Sequence, residues 1–378
     1  MTQRRTRAAR RSARDVLELF VLAPEPGARA ASVLASFRNA RVLAAFPSRG
    51  GEAGARWQRI IRLHERTLAC LAGRSGASPL PSPAELRAFG RDLFEALLPG
   101  DLRRLYDTAR SLQPDGVLDV TLTSMIEWVA DKPWELAFDP QRREFLGTSC
   151  VNFVRNVFTA VPADAPSRRP GRLRVLVASS RPAGAPPLAL EQETAGLRAA
   201  FRSLSRSRLA VVDALPRATA AKLQRRLVDG RADVLHFVGH GAFDARRGEG
   251  SLLLEDDRGR PRALGADALR QIVCRRGLRL VSLNSCESGR GGRVDWSRGL
   301  APALVAAGVP AVVANQYPVL DRAASTFAGE LYEALARGRS LGDAAREARV
   351  AVGRELGTEG LDWAIPVLFA RDPRESLR

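Results

Sequence analysis

The feature that most constrains this chain is a regular alternation that begins near residue 170 and runs to residue 370. Short, almost unbroken apolar runs lie at 173–178 (LRVLVA), 209–215, 233–238 (DVLHFV), 278–284 (LRLVSLN), 309–314 and 364–369. Between them lie segments of helical spacing at 190–201, 219–227, 264–273, 296–307, 323–336 and 340–354. Strands buried on both faces read as continuous apolar runs, and strands alternating with helices assemble into a parallel sheet covered by those helices. The expected fold class is therefore α/β, a mostly parallel sheet flanked by helices over residues 170–378. No repeat of fixed period is present.

The sequence before residue 170 is organised differently. The first residues form a basic tail (Arg4, Arg5, Arg7, Arg10, Arg11, Arg14) leading into a helix or strand, and helical spacing follows at 53–71. This predicts a mainly helical N-terminal region, 1–80, of unknown role. A second region, 81–165, opens on Ser82-Pro83-Ala84-Glu85. There Ser is the cap, Pro takes the first turn and Glu closes a capping box. Leu86, Phe89, Leu93 and Leu97 then fall on one helical face, residues 117–123 alternate as a strand does, and PWELAFDP occupies 133–140. Trp134 in that block reads as core. A Pro-rich stretch at 162–170 marks the boundary with the third region, 170–378.

Composition excludes several functions. No run of 18 apolar residues is present, so no membrane span is expected. The basic tail lacks a clean cleavage site, and cytoplasm is the expected location. The formal charge is +18, but the arginines are scattered and, outside the tail, none forms a motif interleaved with aromatics. Nucleic acid is therefore not expected as the partner. Lys132 and Lys222 are the only lysines, and a bias to Arg, Ala and Gly fits a GC-rich bacterial genome. Cys70, Cys150, Cys274 and Cys286 share no close spacing, so neither a disulfide framework nor a zinc site is implied. No cofactor and no metal is called for, and a reducing compartment keeps a thiol nucleophile usable.

Chemistry in an open parallel sheet gathers at the carboxyl ends of its strands. One strand ends Gly239-His240-Gly241 and another ends Asn284-Ser285-Cys286-Glu287. If these strands are neighbours, His240 faces Cys286, an imidazole beside a thiol, the pairing that generates a thiolate near neutral pH. The Gly241 and Cys286 N–H groups are the candidate oxyanion hole. Asp244, Glu287, Asp295 and Asp321 are the acidic residues at that rim, where they would line a pocket for a basic side chain. His236 lies four residues before His240, but on a strand rather than a helix, so the pair is not a metal motif and His236 reads as buried and hydrogen-bonded. His64 and the three remaining cysteines read as structural. Residues 290–296 (RGGRVDW) read as a surface loop after the nucleophile.

Two blocks, DVLHFVGHGAFD (233–244) and LRLVSLNSCESG (278–289), together with residues 299–321, 327–349 and 363–370, resemble the CHAT peptidase family, relatives of caspases and separase. RVLVASSRP…LALEQETAGL (174–197) and PWELAFDP fit the same pattern. The His precedes the Cys by 46 residues, close to the caspase spacing of about 50. The resemblance implies a caspase-like fold with His240 and Cys286 as the dyad, and residues 81–165 as a degenerate caspase-like half. It implies a cysteine endopeptidase acting on a protein substrate, associated with activation of an effector in bacterial defence or cell death. The family's tetratricopeptide repeats are missing here, and the N-terminal region is where an activating protein partner is expected. A catalytically silent CHAT-fold interaction module is the alternative.

Overall fold

The structure is a computed structural model that describes residues 14–24, 31–46, 51–71, 76, 79–124, 126–160, 171–184, 199, 201–244, 249–274, 277–284 and 295–378, with the side chains of 127, 128, 242–244, 249 and 295–298 left aside. In the C-terminal region, apolar runs become strands β8 (Leu173–Ser179), β9 (Ala210–Leu215), β10 (Val234–Val238), β14 (Leu280–Asn284), β15 (Ala311–Asn315) and β16 (Pro366–Ala370). The helices between them are α5 (Ala220–Asp229), α6 (Ala266–Val273), α7 (Asp295–Ala306), α8 (Asp321–Ala336) and α9 (Leu341–Leu356). A small antiparallel sheet, β11 (Gly241–Asp244), β12 (Glu249–Glu255) and β13 (Pro261–Gly265), branches off after β10. The helix expected at 190–201 lies almost wholly outside the described residues.

All five residues of β10, β14, β15 and β16 are buried, as their unbroken apolar sequences require of strands covered on both faces. β9, β8, β10, β14 and β15 run parallel in that spatial order, and β16 closes the set antiparallel to β15.

The N-terminal half builds onto the same sheet. Strands β1 (Val16–Leu22), β2 (Ser32–Phe37), β3 (Ala40–Ala45), β4 (Leu118–Ser124) and β7 (Val151–Asn156) extend it to eleven strands in the order β3-β2-β1-β4-β7-β16-β15-β14-β10-β8-β9. Four helices accompany them, α1 (Gly51–Leu71), α2 (Pro83–Leu97), α3 (Asp101–Ser111) and the short α4 (Glu127–Ala130), with a two-stranded sheet of β5 (Phe138–Asp139) and β6 (Glu144–Phe145). The helix expected at 53–71 is α1; β1 stands where the tail was expected to lead into a helix or a strand, and β2 and β3 were not foreseen in a region expected to be mainly helical. Their sequences (VLELFVL, SVLASF, ARVLAA) are short, and polar residues break their apolar pattern. β1 lies between β2 and β4 and pairs in parallel with β4, from Val16–Asp119 to Val21–Ser124. Helix α2 carries the predicted box, with Ser82 Oγ accepting from Glu85 N–H at 3.3 Å and Glu85 accepting from Ser82 N–H at 2.8 Å.

The two halves join where β7 meets β16, through a single register pair, Phe369 with Arg155. Side chains reinforce this thin seam. Arg349 of α9, wholly buried, donates to Phe153 O at 3.3 Å and to Pro366 O at 3.2 Å. Buried Glu135 accepts two hydrogen bonds from Arg155, at 3.1 and 2.5 Å, and lies 3.9 Å from Arg349. Burial holds the Arg349 pKa below the ordinary guanidinium value.

Candidate active site

β10 and β14 are parallel neighbours in register, from Val234–Leu280 to Val238–Asn284. The motif His stands two residues beyond Val238, and the motif Cys stands two residues beyond Asn284. His240 is buried to 6% exposure. Cys286 and Glu287 lie outside the described residues, as do the side chains of Asp244 and Asp295. Asp321 is half-buried at the first turn of α8.

The turn that presents His240 is sterically committed. A Cβ at Gly239 would fall 2.7 Å from the Phe237 ring and 3.3 Å from Ser180 O, so the close approach of the backbone there requires glycine. His240 O accepts from Leu253 N–H at 2.9 Å. Gly241 is then paired with Leu252 at a position where an antiparallel ladder exchanges no hydrogen bonds, which turns the Gly241 N–H away from β12.

His236 sits one turn of the pleat below, opposite Ser282. It is fully buried, and its Nδ1 lies 2.7 Å from Tyr332 Oη of α8, within an aromatic cluster with Phe201. Burial pushes its pKa down to about 3, so it is neutral at physiological pH and serves as a packed structural group. Trp134 is likewise core, wholly buried with its indole N–H donating to Val129 O at 2.8 Å.

Three residues that sequence reasoning passed over lie at the carboxyl end of β15. Asn315 Nδ2 donates to Asn284 Oδ1 at 3.0 Å. Gln316 accepts from Arg155 at 2.9 Å and donates to Ala364 O at 2.8 Å and to Glu135 at 3.4 Å. Tyr317 Oη lies 2.8 Å from His64 Nδ1 of α1. The available signal was a polar block, NQY, interrupting an apolar strand at its carboxyl end. Among the described residues, no group of three or more His, Cys, Asp or Glu side chains could hold a metal ion, and no helix is long and apolar enough to cross a membrane.

The model of the CHAT domain matches residues 87–371, most of the chain. The chain belongs to the CHAT domain family. Solved structures similar to this CHAT protein are caspase-like cysteine proteases. The Saccharomyces cerevisiae separase in its complex with securin matches with a TM-score of 0.52 and 11% identity, covering 94% of this chain and 30% of that one. The Arg-specific cysteine proteinase gingipain R matches with a TM-score of 0.48 and 12% identity, covering 76% of this chain and 71% of that one. The separase match takes in nearly the whole CHAT protein, and the fold is caspase-like, a large and mostly parallel sheet flanked by helices. No curated protein matches the sequence.

Proposed function

We propose that this CHAT protein is a cysteine endopeptidase with His240 and Cys286 as its dyad. The observation that carries the reading is the parallel register of β10 and β14, which sets Val238 opposite Asn284, each two residues short of a dyad member. In this reading His240 takes the Cys286 thiol proton, and the thiolate attacks the scissile carbonyl. The Gly241 and Cys286 N–H groups hold the oxyanion, and the outward turn of the Gly241 N–H supports that role. The imidazolium then gives its proton to the leaving amine. Water, activated by the same imidazole, hydrolyses the thioester. Asp244, Glu287, Asp295 and Asp321 are proposed to line a pocket for a basic side chain before the cut bond.

The substrate is proposed to be a protein, and the family resemblance suggests that its cleavage activates an effector in a bacterial defence or cell-death pathway within the cytoplasm. Separase is bound to securin in its structure; for this CHAT protein an activating or regulatory protein partner is proposed, acting through the N-terminal region, residues 1–80.

The test is cleavage of a diverse peptide library by the wild type beside His240→Ala and Cys286→Ala. Turnover should fall by at least about a thousandfold in each variant, since the members of such a unit act together. Undiminished turnover in either variant would sink the dyad. A folded wild type whose Cys286 never reacts with a thiol probe would favour the silent interaction module.

A further inference from the structure

The three residues after Ala314 do something unusual for the end of a buried strand. Asn315, Gln316 and Tyr317 are all buried, at 8%, 4% and 2% exposure, and each side chain reaches a different part of the protein. Asn315 holds Asn284, the last described residue before the segment that carries Cys286. Gln316 is held by Arg155 and by the carbonyl of Ala364, and touches Glu135, so it is fastened to the charge network of the seam. Tyr317 is held by His64, on a helix 253 residues earlier, and His64 Nε2 lies 4.0 Å from Asp131.

Apolar side chains would fill these positions at no cost in desolvation, whereas buried polar groups are tolerated only when satisfied and then fix one geometry. Each of the next rungs of β14 and β15 has at least one apolar member, Leu283 with Ala314, Ser282 with Val313 and Val281 with Val312, so no side-chain hydrogen bond joins the two strands there and their relative placement keeps some latitude. The polar triplet replaces that latitude at the one level where the strand hands over to the proposed nucleophile.

We infer that Asn315, Gln316 and Tyr317 are positioning residues that couple the N-terminal half of the protein to Cys286: Asn315 holds the start of the nucleophile segment through Asn284, while Gln316 and Tyr317 fix that hold to the Glu135–Arg155 network and to α1. The inference rests on the proposed dyad. Its consequence is that a partner acting on α1 or on the seam acts on the nucleophile by this route, with no need to touch the cleft.

The test is site-resolved alkylation of the full chain by iodoacetamide across pH 5–9, read by mass spectrometry. Cys274 and Cys150, both exposed, serve as internal references. In the wild type Cys286 should react faster than either. Asn315→Ala should slow Cys286 alkylation about tenfold, as a small misplacement of a catalytic group does, and shift its pH midpoint upward. Cys274 and Cys150 should be unaffected. Asn284→Ala should match it, and the double variant should be no slower than either single one. His64→Phe, which keeps the bulk but loses the Tyr317 bond, should slow Cys286 by about threefold. A wild-type Cys286 no faster than Cys274 would overturn the dyad itself. A fast wild type with equally fast Asn315→Ala and His64→Phe variants would overturn the positioning role and leave the dyad standing. If Asn315→Ala fails to fold, the conservative His64→Phe decides.

Discussion

At the scale of single residues, His236 within β10 and Gly239 just past its end carry different duties. His236 is buried and neutral, and its pKa is depressed to about 3 from an ordinary 6.5. The unfolded chain therefore takes up a proton below pH 6.5 that the folded chain refuses until near pH 3. The stability contributed is complete above pH 6.5 and declines as pH falls through that window, by about 1.4 kcal/mol per unit while only the unfolded state is protonated. Urea midpoints measured from pH 7 to 4 should fall more steeply for the wild type than for His236→Gln. Gly239, three residues on, admits no side chain. Gly239→Ala should displace the His240 turn and lower kcat/KM by about a hundredfold while leaving the far end of β10 packed. His236 was legible as a packed group because it sits inside an apolar run; His240 was singled out as a candidate base by its place just past the end of that run, its spacing to Cys286 and the CHAT resemblance. His64 was assigned only as structural, because its partner Tyr317 is brought to it by tertiary folding, which no local pattern announces.

At the scale of elements, the strands that could be recognised were those buried on both faces, whose apolar runs need no partner to be read. β14 and β15 were legible for that reason. β1, β2 and β3 were not, since each has a mixed pattern that fits a surface helix or strand equally well until β4 is placed beside it. Helix α2 was legible to the residue because its start is written in the capping box. Ser82→Ala should cost about 1 kcal/mol, whereas Ser82→Asp should retain the cap. Thermal unfolding of the two variants would separate these outcomes.

At the scale of the whole molecule, one sheet is divided by a seam that has a single backbone register pair and is held by charge. Removing Glu135 leaves Arg155 and Arg349 buried together without their anion. Glu135→Ala should therefore destabilise the protein by about 3–5 kcal/mol, as loss of one partner of a buried pair does. Replacing all three by apolar residues of similar size should recover much of that stability. Chemical denaturation would measure both effects. Because β1 lies between β2 and β4, a chain beginning at residue 81 would expose the edge of β4 and the underside of the N-terminal core, and it should be insoluble.

The place of β16 has a consequence for synthesis. It is the last of the eleven strands to leave the ribosome, yet it belongs in the middle of the sheet, between β15 and β7. Until it emerges, β15 has no neighbour on one side, Arg349 has no carbonyl from Pro366, and the two halves have no common strand. A nascent chain released at residue 365 would hold both members of the proposed dyad and still lack the strand that joins the two halves, so any activity of that dyad should wait for translation of β16.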